Sequence, residues 1–156
     1  MKANVDHIGI LVKDINKAID FYGKLLGWKI PKEEPYKGKT GFVDTPGHRY
    51  KYAMLKAPND VYLELLEPVE GPWVKTLQEK GEGTFSEICV EVDDIEELAD
   101  HFRKMGIALL DVDIRTPIDE DKKYVVTPSG NKIFYVPRDK TLGTQYEFIQ
   151  RPIKVR

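Results

Sequence analysis

The chain has 156 residues, 32% charged and 41% hydrophobic, with 24 Lys and Arg against 26 Asp and Glu for a formal charge of -2. That length suits one compact domain burying roughly 70% of its unfolded surface, and the interspersed signs of charge exclude a basic face for nucleic acid or anionic lipid. The single cysteine, Cys89, excludes an intramolecular disulfide and reads as a small buried thiol in a reducing compartment.

The N-terminus, Met-Lys-Ala-Asn-Val-Asp6-His7, puts polar residues where a signal peptide needs its apolar stretch. No apolar run approaches the ~20 residues of a membrane helix, and mean hydropathy is -0.44; a soluble cytoplasmic protein is expected. From Val5 to Val12 the pattern alternates, so Ile8, Ile10 and Val12 face covering helices while His7 points away from them. Asp14 is a good N-cap for a helix whose apolar positions are Ile15, Ala18, Ile19, Tyr22, Leu25 and Leu26, with Gly27 as its stop. Trp28 to Ile30 reads as a short strand, and the polar, Pro- and Gly-containing stretch from Pro31 to Arg49 reads mostly as a mobile loop.

Tyr50 to Ala57 and Val61 to Glu67 are two strands joined by Pro58-Asn59-Asp60. Gly71-Pro72-Trp73 opens a short linker helix that Lys80-Gly81-Glu82-Gly83 ends. A second set follows: strand Phe85 to Val92, helix Ile95 to Met105 with an Asp94/Glu97 capping box, a strand near Ile107 to Leu110, a polar loop, and strands at Lys123 to Thr127, Lys132 to Val136 and Thr144 to Gln150. The second set repeats the first. His7, Asp14 and Ala18 are answered 80 residues later by Glu87, Asp94 and Leu98, and Glu64 is answered 83 residues later by Glu147.

The expected fold is therefore α+β, a single domain over 1–156 built of two βαβββ modules, 1–69 and 84–156, joined by a linker helix at 70–83. Taken alone, His7 reads as a histidine hydrogen-bonded at a sheet edge. Duplication changes that reading, because two half-domains that each place a polar residue on a first and a last strand can bring four together: His7, Glu64, Glu87 and Glu147.

The stretches His7-Ile-Gly-Ile-Leu-Val-Lys-Asp14, Leu25-Leu-Gly-Trp28, Glu64-Leu-Leu-Glu-Pro68, Ile88-Cys-Val-Glu-Val-Asp-Asp-Ile95 and Phe134-Tyr-Val-Pro-Arg-Asp139 resemble the vicinal oxygen chelate superfamily across the whole chain. Within it they look closest to methylmalonyl-CoA epimerases, with glyoxalase I next. The resemblance implies a cup-like curled sheet around one divalent metal, with helices outside. It maps the metal ligands onto His7, Glu64 and Glu147, with Glu87 where those enzymes usually have histidine. Gly47, beside His48, stands where epimerases carry a catalytic glutamate.

One imidazole and three carboxylates suit a hard or borderline ion such as Co, Mn, Zn, Ni or Mg. The implied chemistry is proton removal next to a carbonyl, with Glu147 as base and His48 or Glu91 as the second proton-transfer group. The implied substrate is an acyl-CoA or a thiol adduct, the latter for a glyoxalase-type lyase, and the implied assembly is a homodimer. A metal-free binding or resistance protein of the same fold is the non-enzymatic alternative. His101, on the polar side of its helix, is expected at the surface.

Overall fold

The computed structural model describes residues 1–152; residues 153–156, the end of the second predicted module, lie outside the described residues. In chain order the elements are β1 (Ala3–Leu11), α1 (Ile15–Leu26), β2 (Thr40–Thr45), β3 (His48–Lys56), β4 (Tyr62–Glu70), α2 (Pro72–Lys80), β5 (Phe85–Val92), α3 (Ile95–Lys104), β6 (Val125–Val126), β7 (Lys132–Val136) and β8 (Gln145–Gln150). The class is α+β, with two successive βαβββ modules. Among the described residues no helix is long and apolar enough to cross a membrane. The chain divides into two compact units, His7–Ser86 and Met1–Asp6 with Glu87–Arg156, and the boundary falls inside β1.

In unit His7–Ser86 the strand order is β2-β3-β4-β1. β1 runs parallel to β4, and the remaining pairs are antiparallel. Asp14 caps α1 by accepting from the Lys17 amide at 3.0 Å. The helix buries Ile15 and Ala18 against Val12, Ala53, Leu55 and Leu65. Leu25 and Leu26, expected on that buried face, are exposed. After Gly27 reverses the chain with φ 69°, Trp28 stacks on Tyr22 at 5.7 Å and closes that side of the core in their place.

Two expectations for this unit are corrected. Residues 28–30 contribute only a bridge between Lys29 and Lys56. The stretch expected as a mobile loop contains β2, which pairs with β3 through a two-residue Pro46-Gly47 turn in which Gly47 takes φ 77°. β2 is the end strand of its unit and is mostly exposed, so it lacks the apolar alternation that marks a half-buried strand.

In the other unit β5 runs parallel to β8, and β8, β7 and β6 follow antiparallel. The Lys2 amide donates to Asp93 at 2.7 Å, holding the N-terminus to the end of β5. Asp94 caps α3 through the Glu97 amide at 2.9 Å, and α3 buries Ile95, Leu98 and Ala99 against Phe134 and Val136. The strand expected near 107–110 is reduced to bridges from Leu110 to Pro117 and Tyr135, and the one expected at 123–127 to its two central residues.

The duplication extends to hydrogen bonds that no sequence alignment displays. The Ile15 amide donates to Glu67 Oε2 at 2.9 Å and the Ile95 amide to Gln150 Oε1 at 3.1 Å, so a side chain from each module's last strand caps the first turn of its helix. Loss of an N-cap costs about 1 kcal/mol. Asp94→Ala is expected to lower stability by that amount in urea unfolding, and Asp14→Ala by a similar amount.

Candidate metal centre

Strand register decides which side chains can meet. In the parallel β1–β4 pair His7 lies opposite Tyr62 and Gly9 opposite Glu64. In the parallel β5–β8 pair Glu87 lies opposite Gln145 and Cys89 opposite Glu147. The second register is the first carried forward by the same offsets as the sequence echo. Each module thus places a polar residue on its first strand, two positions and one strand away from an acid on its last. Gly9 and Cys89, small residues opposite the acids, leave room for them.

In unit His7–Ser86 this brings His7 Nε2 to 3.1 Å from Glu64 Oε2, with side chains 6% and 13% exposed. His7 Nδ1 lies 2.9 Å from the Tyr36 hydroxyl, and the two rings meet edge to face at 5.7 Å. Tyr36 also packs edge-on against Tyr62 at 5.0 Å. Lys39 Nζ stands 5.7 Å above Tyr36 and 5.9 Å above Tyr52. Burial and the negative charge of Glu64 push the Tyr52 hydroxyl pKa up.

In the other unit Glu87 is 2% exposed, and ligand oxygens of Glu87 and Glu147 lie within 4.8 Å of one another. Burial pulls the Arg138 guanidinium pKa down, against the negative charge of Glu87, which raises it. Two carboxylates this close, one of them buried, call for a cation or a proton to offset their repulsion. Gln145, also buried, is fixed by donating to the Val136 carbonyl at 2.8 Å.

The other residues singled out by sequence have different surroundings. Glu91 shares a strand face with Glu87 and Cys89, and its carboxylate, 42% exposed, pairs with Arg151 at 2.8 Å. Arg151 also holds Asp6 at 2.8 Å. His48 is 1% exposed, packed at 4.5 Å against Trp73 and 5.1 Å against Tyr50. His101 is exposed, as expected. Arg49 is engaged by Asp44 and Glu70 at 2.5 Å each. Tyr36 and Arg138 were not singled out by sequence reasoning. The one available signal for Tyr36 was a lone aromatic in the polar run Pro31–Gly41.

The donor set fits a divalent ion. Imidazole nitrogen and carboxylate oxygen are both ligands for such ions, and His7 Nε2 and Glu64 Oε2, 3.1 Å apart, are close enough to be held by one.

A duplicated βαβββ chain with an acid on the last strand of each module belongs to a definite class. Residues 6–126 match the Glyoxalase/Bleomycin resistance protein/Dioxygenase superfamily, and the chain is a member of it. The superfamily's own description spans enzymes and resistance proteins, and its members typically bind a divalent metal. Among individual relatives, the uncharacterized protein YwbC of Bacillus subtilis (strain 168) is 26% identical over 157 residues, covering 97% of this chain and 100% of that one. Human mitochondrial methylmalonyl-CoA epimerase is 27% identical over 113 residues, 71% of this chain and 58% of that protein. The fold is shared with the crystal structure of methylmalonyl-CoA epimerase from Mycobacterium tuberculosis, with TM-score 0.74 and 21% identity over 97% of this chain and 89% of that one.

Proposed function

We propose that the protein is a divalent-metal-dependent isomerase of the methylmalonyl-CoA epimerase kind, acting on an acyl-CoA by removing a proton from the carbon next to the thioester carbonyl. The observation that carries this reading is the 3.1 Å pairing of His7 with Glu64, repeated in register by Glu87 and Glu147. In this reading His7, Glu64, Glu87 and Glu147 hold the ion. Bound there, a divalent ion supplies Lewis acidity to substrate oxygens.

The chain's own residues supply the proton transfer. Glu147, opposite the small Cys89, accepts the proton as general base. An epimerase must also return a proton to the opposite face of the carbon. Of the two candidates, Glu91 is favoured over the buried His48, because its carboxylate, paired with Arg151, is partly exposed and lies on the strand face that carries Glu87. Arg138, half-buried beside the charge of Glu87, offsets part of that negative charge. A homodimeric assembly and a cytoplasmic location complete the reading.

The test is deuterium wash-in from heavy water into methylmalonyl-CoA, with protein loaded in turn with Co, Mn, Zn, Ni or Mg. Metal-dependent exchange is expected with at least one of them. Absence of exchange above background with all five defeats the epimerase assignment. Protein that also binds none of the ions on titration belongs with the family's metal-free binding members.

A further inference from the structure

We infer that Tyr36 is a positioning residue that holds His7 through Nδ1 in either tautomer, donating to Nδ1 when the proton is on Nε2 and accepting from it when the proton is on Nδ1. The inference deepens the proposed metal site and rests on that reading for its functional consequence, though the hydrogen bond itself does not depend on it.

Both partners are buried, Tyr36 at 4% exposure and His7 at 5%. The His7 ring has its Nδ1 2.9 Å from the Tyr36 hydroxyl and its Nε2 3.1 Å from Glu64 Oε2. Neutral imidazole has one N–H and one lone pair, so the two contacts are coupled. Without metal, the negative charge of the Glu64 carboxylate 3.1 Å from Nε2 favours the N–H on that nitrogen, and Nδ1 then accepts a hydrogen bond from the tyrosine. With metal, the Nε2 lone pair is given to the ion, the proton sits on Nδ1, and Nδ1–H donates to the tyrosine oxygen.

A hydroxyl is suited to this place because it both donates and accepts. An ammonium or guanidinium only donates and would oppose the metal-bound tautomer. A carboxylate only accepts and would add a fourth negative charge to the three acids already assigned to the site. Tyr36 comes from the segment between α1 and β2, which carries none of the proposed ligands. Its edge contact with Tyr62, on the strand that carries Glu64, fixes the ring independently of His7.

The experiment is imidazole 15N–1H correlation NMR on protein labelled at its histidines. There are three, His7, His48 and His101, and a His7→Gln variant assigns the first. In metal-free wild type, His7 is expected as the Nε2–H tautomer with Nδ1 hydrogen-bonded. Addition of Zn2+, which is diamagnetic, is expected to convert it to Nδ1–H.

Tyr36→Phe is expected to remove the Nδ1 hydrogen-bond signature and to weaken Zn2+ binding about 10- to 100-fold in chelator competition. A wild-type spectrum with His7 Nδ1 free of any hydrogen bond overturns the inference without recourse to a variant. So does a Tyr36→Phe spectrum and affinity equal to wild type. Wild-type protein with the Nδ1 signature but no Zn2+ binding supports the tyrosine's role and defeats the metal reading instead.

Discussion

Glu147→Gln is expected to reduce metal-dependent deuterium exchange into methylmalonyl-CoA by about 10²- to 10⁴-fold, the usual contribution of a positioned general base. Glutamine keeps the length and one carbonyl oxygen of the glutamate, so it can still offer a ligand atom while losing the ability to accept a proton. Metal affinity is therefore expected to fall much less than exchange. Glu64→Gln makes the comparison sharp. It removes a carboxylate that the proposal uses only as ligand, so its exchange rate should recover when the ion is raised to saturation, whereas that of Glu147→Gln should not. Equal recovery of both variants under saturating metal defeats the assignment of Glu147 as base.

How much of this was legible in the chain depended on whether a residue's environment is local or assembled. The two modules were readable because Asp14 and Asp94 cap their own helices and Ile15 and Ile95 begin apolar faces, all within a few positions. His7, Glu64, Glu87 and Glu147 stood out because duplication placed polar residues at matching positions on apolar strands. β2 was not legible, since an exposed end strand buries no face and so carries no apolar period. Leu25 and Leu26 matched the helical period but end α1 exposed, since Trp28 returns after Gly27 to cover Tyr22. Tyr36 and Arg138 gain their meaning only from the partners that the fold brings beside them, His7 and Glu87. His48 falls in the stretch expected as a mobile loop, and the fold instead packs it against Trp73.

The largest stability effect is expected at Gly71, which joins β4 to α2. Its backbone, φ 106° and ψ -169°, lies in a region open essentially to glycine alone, costing other residues about 1–3 kcal/mol. A Cβ there would also sit 2.6 Å from the Gly47 carbonyl oxygen and 3.0 Å from His48 Nδ1. The first obstacle is backbone of the β2–β3 turn, which cannot rotate aside as a side chain does. The second is wedged against Trp73, itself 1% exposed. Overpacking of this kind adds about 1–3 kcal/mol, so Gly71→Ala is expected to cost about 2–6 kcal/mol, a large share of a typical 5–15 kcal/mol. Gly27→Ala is the control. It too has positive φ, 69°, but nothing lies within 4 Å of the added carbon, so only the left-handed backbone penalty of about 1–2 kcal/mol remains. Urea midpoints of the two variants read the difference. If Gly71→Ala is no more destabilised than Gly27→Ala, the β2–β3 turn yields freely, and His48 is not held by the contact that Gly71 makes possible.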